Sequence, residues 1–353
     1  MKVINVICEE NVVATSKYLF EKQISDVKEV IRVCYICKNC GSNLDSSVTS
    51  GIYSVCDEVW TSKDCIEKGN FFFYIPLRHQ LQNLLNDPAV HNSLLRSVCS
   101  ETDVLSDIHD GVLYKRLLVD QGSQERPLDR LSLSFNCDGV PVFKSSSLSI
   151  WPVLCSLNEV TPTERLKNIL MASLWFGKCK PDMNVYLEPF VEECRSLWSD
   201  GVQWVDPLRG SDRLSKIYTT CAVCDSVARP LMQNMMQFNG YQGCGFCKNP
   251  GVTVSKGRGF VRVYPYRRET TLRNYIETVK CAEQALDSQQ LICGVKGPSV
   301  LYNIPKFDIV ENFVPDYMHC VLLGVVRQMM ALWLDSQYHR KILLGSSHRQ
   351  PRF

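Results

Sequence analysis

The chain lacks several features that would place it at once. It has almost no net charge: 39 lysines and arginines stand against 37 aspartates and glutamates, a formal balance of +2. A whole-chain polycation is thereby excluded, and any contact with nucleic acid must come from local patches. No secretory leader is visible, because MKVINVICEENVV carries one lysine and then acidic residues inside the stretch that would have to be apolar. No run is long and apolar enough for a bilayer; the longest, Cys320 to Leu334, is interrupted by Arg327 and Gln328. Wholesale disorder is excluded too, since 45% of 353 residues are apolar, a length that suits two domains or one large domain with an appendage.

Cysteine is what the chain has in excess, 18 in all. With no leader they are read as lying in a reducing compartment, where Cys-x-x-Cys points to a metal more often than to a disulfide. Residues 1–70 form a Cys-rich segment, with Cys34, Cys37 and Cys40 in CYICKNCGSN and then Cys56 and Cys65. Cys37-Lys-Asn-Cys40-Gly fits a zinc knuckle, but Cys56 and Cys65 are too far apart to make the second knuckle of a ribbon. A zinc site on Cys37 and Cys40, a decayed site and free thiols all remain open. Cys155, Cys179, Cys194, Cys281 and Cys293 are isolated and read as small buried hydrophobes.

Residues 71–130 read as a helical linker. Leu77, Leu81, Leu84 and Leu85 predict a helix ended by Asn86-Asp87-Pro88, and Leu94, Leu95 and Val98 a second, shorter one. His79, His91 and His109 are scattered singly and read as surface or capped residues.

The stretch 131–238 is the most legible. In LSLSFNCD, Leu131, Leu133, Phe135 and Cys137 alternate with Ser132, Ser134, Asn136 and Asp138, so Asp138 ends a strand on its polar face and opens an Asp-Gly turn. LSIWPVLCSL and ILMASLWFG predict two more strands. Leu187, Phe190, Val191, Cys194, Leu197 and Trp198 predict a helix over 183–198. IYTTCAVCD predicts an interior strand ending at Asp225, and Ser226 is placed to cap a following helix. If the first and fourth of these strands are parallel neighbours, Asp138 and Asp225 converge at one sheet edge. Two such carboxylates followed by Cys244 and Cys247 in GCGFC suggest a two-metal nuclease core with a zinc clamp, on a ribonuclease H-like α/β fold. Each acid alone has a plainer reading: Asp-Gly is a common turn, and Asp225 can cap a helix.

The motifs YIPLRHQLQNLL, SLSFNCDGVPVFKSSSLSIWPVLCSLNE, CDSVARP, NGYQGCGFC and VPDYMHCVLLGV span roughly residues 70–334. Together they resemble the transposases of CACTA (En/Spm-type) DNA elements in their animal form, relatives of the V(D)J recombinase catalytic subunit. The resemblance implies a ribonuclease H-like mixed sheet with flanking helices, to which this chain adds the small Cys-rich appendage at 1–70 and a zinc-knuckle insertion. It implies metal-dependent DNA strand cleavage and transfer by an Asp, Asp, Glu triad using Mg²⁺ or Mn²⁺. Asp138 and Asp225 match the first two acids. Cys244 and Cys247 match zinc cysteines whose partners are later histidines, with His319 the nearby candidate.

On this reading the core is 131–238, and 239–353 is a zinc-knuckle and helical region. The family's last glutamate lies well beyond VPDYMHCVLLGV, so it is expected to be missing from a chain ending at Phe353, whose tail from about Gln337 matches no family motif. Glu311 and Asp316 are the acids in the chain that would replace it; Asp316 is equally suited to cap a helix over 317–334. Arg258, Arg262, Arg267 and Arg268, with Arg273 and interleaved Tyr264 and Tyr266, form the candidate DNA contact, though a solvated basic loop has the same composition. Expected partners are transposon ends and target DNA, with a homo-oligomer and no membrane, in the nucleus. The expected behaviour is weak, salt-sensitive DNA binding without transposition. A remnant serving as a zinc-stabilised DNA- or protein-binding module is the alternative.

Overall fold

The computed structural model describes residues 31–94, 105–119, 128–142 and 148–334. The expected second-helix residues Leu95 and Val98, the N-terminal stretch MKVINVICEENVV and the tail from Gln337 lie outside the described residues.

Strand β1 (Arg32–Tyr35) opens the described chain, and a short hairpin of β2 (Ser50–Tyr53) and β3 (Glu58–Thr61) follows it. After the Ser62–Lys68 helix, β4 (Phe71–Tyr74) returns antiparallel to β1. Three antiparallel strands come next: β5 (Arg130–Cys137), β7 (Ser149–Leu157) and β8 (Leu170–Gly177), with the two-residue β6 (Val140–Pro141) on β7. Then β9 (Val202–Asp206) forms a hairpin with the start of β10 (Ser211–Cys224), whose second half runs parallel to β5. An exposed hairpin, β11 (Val252–Lys256) and β12 (Gly259–Val263), precedes the short β13 (Phe313–Pro315), which lies parallel to β10. The large mixed sheet thus reads β1-β4-β8-β7-β5-β10-β13.

The alternation in β5 decides how this sheet is covered. Leu131, Leu133, Phe135 and Cys137 are buried on one side, where Phe135 packs on Phe190 of the Glu188–Ser199 helix with ring centroids 5.0 Å apart. The polar side is not left to water. Ser132 donates from its backbone N–H and hydroxyl to buried Glu159 at 2.8 and 2.6 Å, and Tyr114 donates to the same carboxylate at 2.8 Å. Burial pushes Glu159 above the usual carboxylate range, and these three donors work against that shift.

The predicted 183–198 helix forms in two pieces, Met183–Tyr186 and Glu188–Ser199, with Pro189 in the first turn of the second. Its expected apolar stripe is buried from Leu187 to Leu197, with Trp198 half-buried. Leu77, Leu81, Leu84 and Leu85 of the Leu77–Asn86 helix join the same core, so residues 71–94 pack with the sheet. Glu193 ties the two helices together by accepting from the Leu77 and Arg78 N–H groups at 2.7 and 2.8 Å and from the Tyr74 hydroxyl. His91 and His109 are buried, against the surface expectation, and lie beside Asp206 at 3.5 Å and Asp107 at 3.6 Å. Among the described residues no helix is long and apolar enough to cross a membrane.

Candidate active site and cysteine clusters

Asp138 is the first residue past β5 and Asp225 the first past β10. The pairing of these strands sets their level. It begins with Lys216 opposite Arg130 and reaches Thr219 opposite Leu133; then the register shifts by one, so that Cys221 faces Ser134 and Ala222 faces Phe135. Counting on in that register puts Asp225 opposite Asp138. Without the shift, Cys224 would hold that place. A one-residue β-bulge at Thr220 therefore brings the two carboxylates level, and bulges of this kind re-aim side chains beside functional sites.

The bulge is locked on every side. Asn158 donates to Thr220 Oγ1 at 2.9 Å, Thr220 Oγ1 donates to the Leu133 carbonyl at 3.0 Å, and Asn312 donates to the Thr220 carbonyl at 2.5 Å. Two residues before the acids, Asn136 donates to the Val223 carbonyl at 2.7 Å.

A third acid shares the level. β13 pairs with β10 through Ala222–Phe313 and Cys224–Pro315, which continues to Asp316 opposite Asp225. Asp316 Oδ1 accepts from the Met318 and His319 N–H groups at 2.7 and 3.3 Å, and its Oδ2 is 2.8 Å from His319 Nδ1. It caps the helical rod that begins with π-helical Met318–Val326 and continues as Arg327–Leu334. Glu311, the other acid considered, is instead paired with Arg116 at 2.7 Å.

Asp225 also has a capping role, accepting from Val227 and Ala228 N–H at 2.9 and 2.6 Å. It caps the helix expected of Ser226, and that helix is short, Ala228–Met232. Asp138 Oδ1 accepts from Gly139 N–H at 2.7 Å. No side chain fits at Gly139, where a Cβ would sit 2.4 Å from the Trp151 ring.

The acids lie within electrostatic reach of one another. Burial and the negative charge of Asp225 push Asp138 above the usual carboxylate range, with Asp316 adding to the rise and His319 opposing it. His319 is raised above its ordinary value by its hydrogen bond to Asp316, and Asp225 and Asp138 add to that rise. In Asp316 burial acts upward, but His319 and two backbone N–H groups outweigh it and lower the carboxyl. The result is three half-buried carboxylates and one imidazole at the carboxyl end of three parallel strands.

His319 thus stands with the acids. Cys244 and Cys247 lie in a separate Gly-bounded turn, where Phe246 N–H donates to Cys244 Sγ at 3.4 Å. Gly243 is obligatory there, since a Cβ would meet the Gln237 carbonyl oxygen at 2.0 Å. Arg273 buttresses the turn by donating to the Cys244 and Gln242 carbonyls, both at 2.9 Å. Unlike the other arginines of its stretch, Arg273 is only 5% exposed, and it lies within electrostatic reach of Cys244, Cys293, Cys247 and Cys281. Cys281 and Cys293, read from sequence as isolated hydrophobes, face one another: burial raises the Cys281 thiol and Cys293 adds to the rise. Cys155 and Cys194 are buried as expected, whereas Cys179 is exposed.

Among the described residues, the potential metal ligands that come together as a group of three are Cys37, Cys40 and Cys56, all within 4.8 Å of one another. In the sequence Cys56 is too far from Cys65 to share a knuckle with it; in the structure it comes from the β2–β3 turn. The Cys40 thiol is lowered to about 7 by hydrogen bonds from the Ser42 backbone and hydroxyl.

Of the expected DNA contacts, Arg258, Arg267 and Arg268 are exposed on or just after the β11–β12 hairpin. Arg262 is half-buried, donating to the Pro250 carbonyl at 3.0 Å and lying 5.6 Å from the Tyr241 ring. Tyr264 is occupied in the Gly243 turn, where it accepts from Gly243 N–H and donates to the Gly240 carbonyl, while Tyr266 is 91% exposed.

No curated protein matches the chain. Residues 104–267, which include Asp138, Asp225, Cys244 and Cys247, match the family model described as transposase family tnp2, and this match supports a transposase family for the chain.

Proposed function

We propose that this chain is the core of a DNA transposase of the CACTA (En/Spm) kind, on a ribonuclease H-like sheet, with Asp138 and Asp225 holding Mg²⁺ or Mn²⁺. The observation that carries this reading is the common level of the two acids at the ends of adjacent parallel strands, inside the stretch that matches the tnp2 family. The donor set suits the ion, because carboxylate oxygens are hard ligands of the type Mg²⁺ and Mn²⁺ prefer. A bound divalent ion would supply the charge that stabilises attacking and leaving oxygens in phosphoryl transfer.

The chain's own residues do the positioning. β5 and β10 hold the acids rigidly, and the bulge at Thr220 keeps them level. Asp316 is the acid that would stand third in this reading, and its hydrogen bond to His319 keeps that imidazole beside the pair and raises it above its ordinary value. Arg258, Arg267 and Arg268 beside Tyr266 supply phosphate and stacking contacts that tolerate any sequence and weaken with salt. Zinc on Cys244 and Cys247, pairing of two copies on transposon ends and target DNA, and a nuclear location belong to the same reading.

Manganese-dependent nicking of duplex oligonucleotides by the purified chain decides the matter. Nicking is expected to disappear in Asp138→Asn and Asp225→Asn while DNA binding persists. Unchanged nicking in both variants overturns the reading. A chain that binds DNA and Mn²⁺ without nicking establishes instead a zinc-stabilised DNA-binding module. The commitment of Asp316 to His319 and two backbone N–H groups favours that second reading.

A further inference from the structure

Residues 36–70 form a closed excursion between β1 and β4, two strands paired with each other. The excursion has little core of its own: its buried apolar cluster is Cys37, Leu44, Trp60 and Cys65. A unit of this size needs a staple, since so few buried side chains cannot offset the entropy of ordering the chain.

The cysteines are arranged to supply one. Cys37 opens a tight turn in which Gly41 N–H donates to the Cys37 carbonyl at 2.9 Å, with Gly41 at φ 76°. That turn returns Cys40 toward Cys37. The β2–β3 turn delivers Cys56, whose sulfur is 3.5 Å from Cys37 Sγ. Tetrahedral zinc, with Zn–S near 2.3 Å, holds its sulfurs about 3.8 Å apart. The three thiols are therefore already at coordination spacing.

A fourth thiol stands nearby, outside that close group of three. Cys65 sits on the Ser62–Lys68 helix, is buried in the same small cluster, and acts electrostatically on Cys37. The helix that carries it is capped at both ends, by Thr61 accepting from Asp64 N–H at 3.0 Å and by Gly69 at φ 72°.

We propose that Cys37, Cys40, Cys56 and Cys65 form a structural zinc site, closed on four sulfurs, that holds residues 31–70 together at the edge of the sheet. A turn, a hairpin tip and a helix each contribute, so one ion ties all three pieces of local structure. Loading displaces the thiol protons to solvent and changes no oxidation state. The site is independent of the acids beyond β5 and β10 and stands whether or not those acids cut DNA.

The test uses the full chain carrying Cys244→Ser and Cys247→Ser, so that the other cysteine turn contributes no metal. One zinc per chain is expected by elemental analysis, lost in Cys37→Ser, Cys40→Ser or Cys56→Ser; unchanged zinc in those variants overturns the site. Cobalt loading reads the fourth ligand. Cys65→Ser is expected to lower the sulfur-to-cobalt charge-transfer intensity by about a quarter, one sulfur of four, and an unchanged spectrum overturns the four-sulfur closure. Hydrogen exchange on the unaltered chain keeps the test independent of variant folding. A zinc-selective chelator should strip protection from residues 31–70 and leave β5 and β10 protected; no change in 31–70 overturns the proposal.

Discussion

The acids at the sheet edge and the cysteines of residues 31–70 both bring like ligands close together, but their surroundings differ. Asp138, Asp225 and Asp316 directly follow strands anchored in one large core, where Phe135 by itself touches Phe190 and Phe307. Their spacing is set by backbone pairing and survives the repulsion between them. Half-exposed like charges at close range repel by about 1 kcal/mol once solvent screens them. A core of this size absorbs such a cost. Around Cys37, Cys40 and Cys56 the cluster is four residues, and nothing comparable holds the ligands if they repel. Like charges can be held close together where packing is plentiful, whereas a small unit depends on its ligands being bridged.

The largest effect that would break this comparison is in the core itself. Phe135→Ala is expected to cost about 3–5 kcal/mol, because a buried aromatic leaves both a lost transfer term and a cavity. Urea denaturation followed by circular dichroism should show the whole sheet shifting. Trp60→Ala should instead raise hydrogen exchange in 31–70 with little change in that midpoint; a matched global shift would show that the two regions fold as one.

A smaller effect sharpens the comparison at the bulge. Asn158 donates to Ser132 Oγ and Thr220 Oγ1, both at 2.9 Å, and its Oδ1 accepts from the Ser134 hydroxyl at 2.7 Å. Asn158→Ala should cost about 2 kcal/mol through the buried groups it leaves unpaired. It should also weaken Mn²⁺ binding at the acids without unfolding the sheet, a result readable by paramagnetic broadening. Unaltered Mn²⁺ affinity would mean that the register holds without this lock.

The smallest effect concerns Asp138. Burial and Asp225 raise its carboxyl, so the folded chain binds that proton more readily than the unfolded one. Stability without metal is then greatest below the ordinary carboxylate value, falls as pH rises through the raised value, and is level above it. Asp138→Asn should remove this fall and leave the metal-free chain about 1 kcal/mol more stable at neutral pH. Melting temperatures across pH 4 to 7 in chelator are the measurement. A variant whose curve runs parallel to the parent's would show that the carboxylates do not repel.

Much of this was written in local patterns. The alternation of LSLSFNCD led to β5, the leucines from Leu77 to Leu85 to their helix, and the paired runs after Asp138 to β7 and β8, because period and burial coincide there. What escaped lacks such a signal. FVP at 313–315 is too short to show a period, yet as β13 it brings in Asp316. Cys56 carries no knuckle spacing because its partner turn lies far back in the chain. Arg273 reads like its neighbouring arginines and is buried for reasons of packing.

Hydrophobic period and turn chemistry specify the strands, the main helices and an acid after each of two strands. That Asp225 stands opposite Asp138 follows from tertiary pairing alone. That level depends on one extra residue in β10, locked by Asn158 and Asn312 from distant parts of the chain, and a register shift of one residue leaves no mark on local composition.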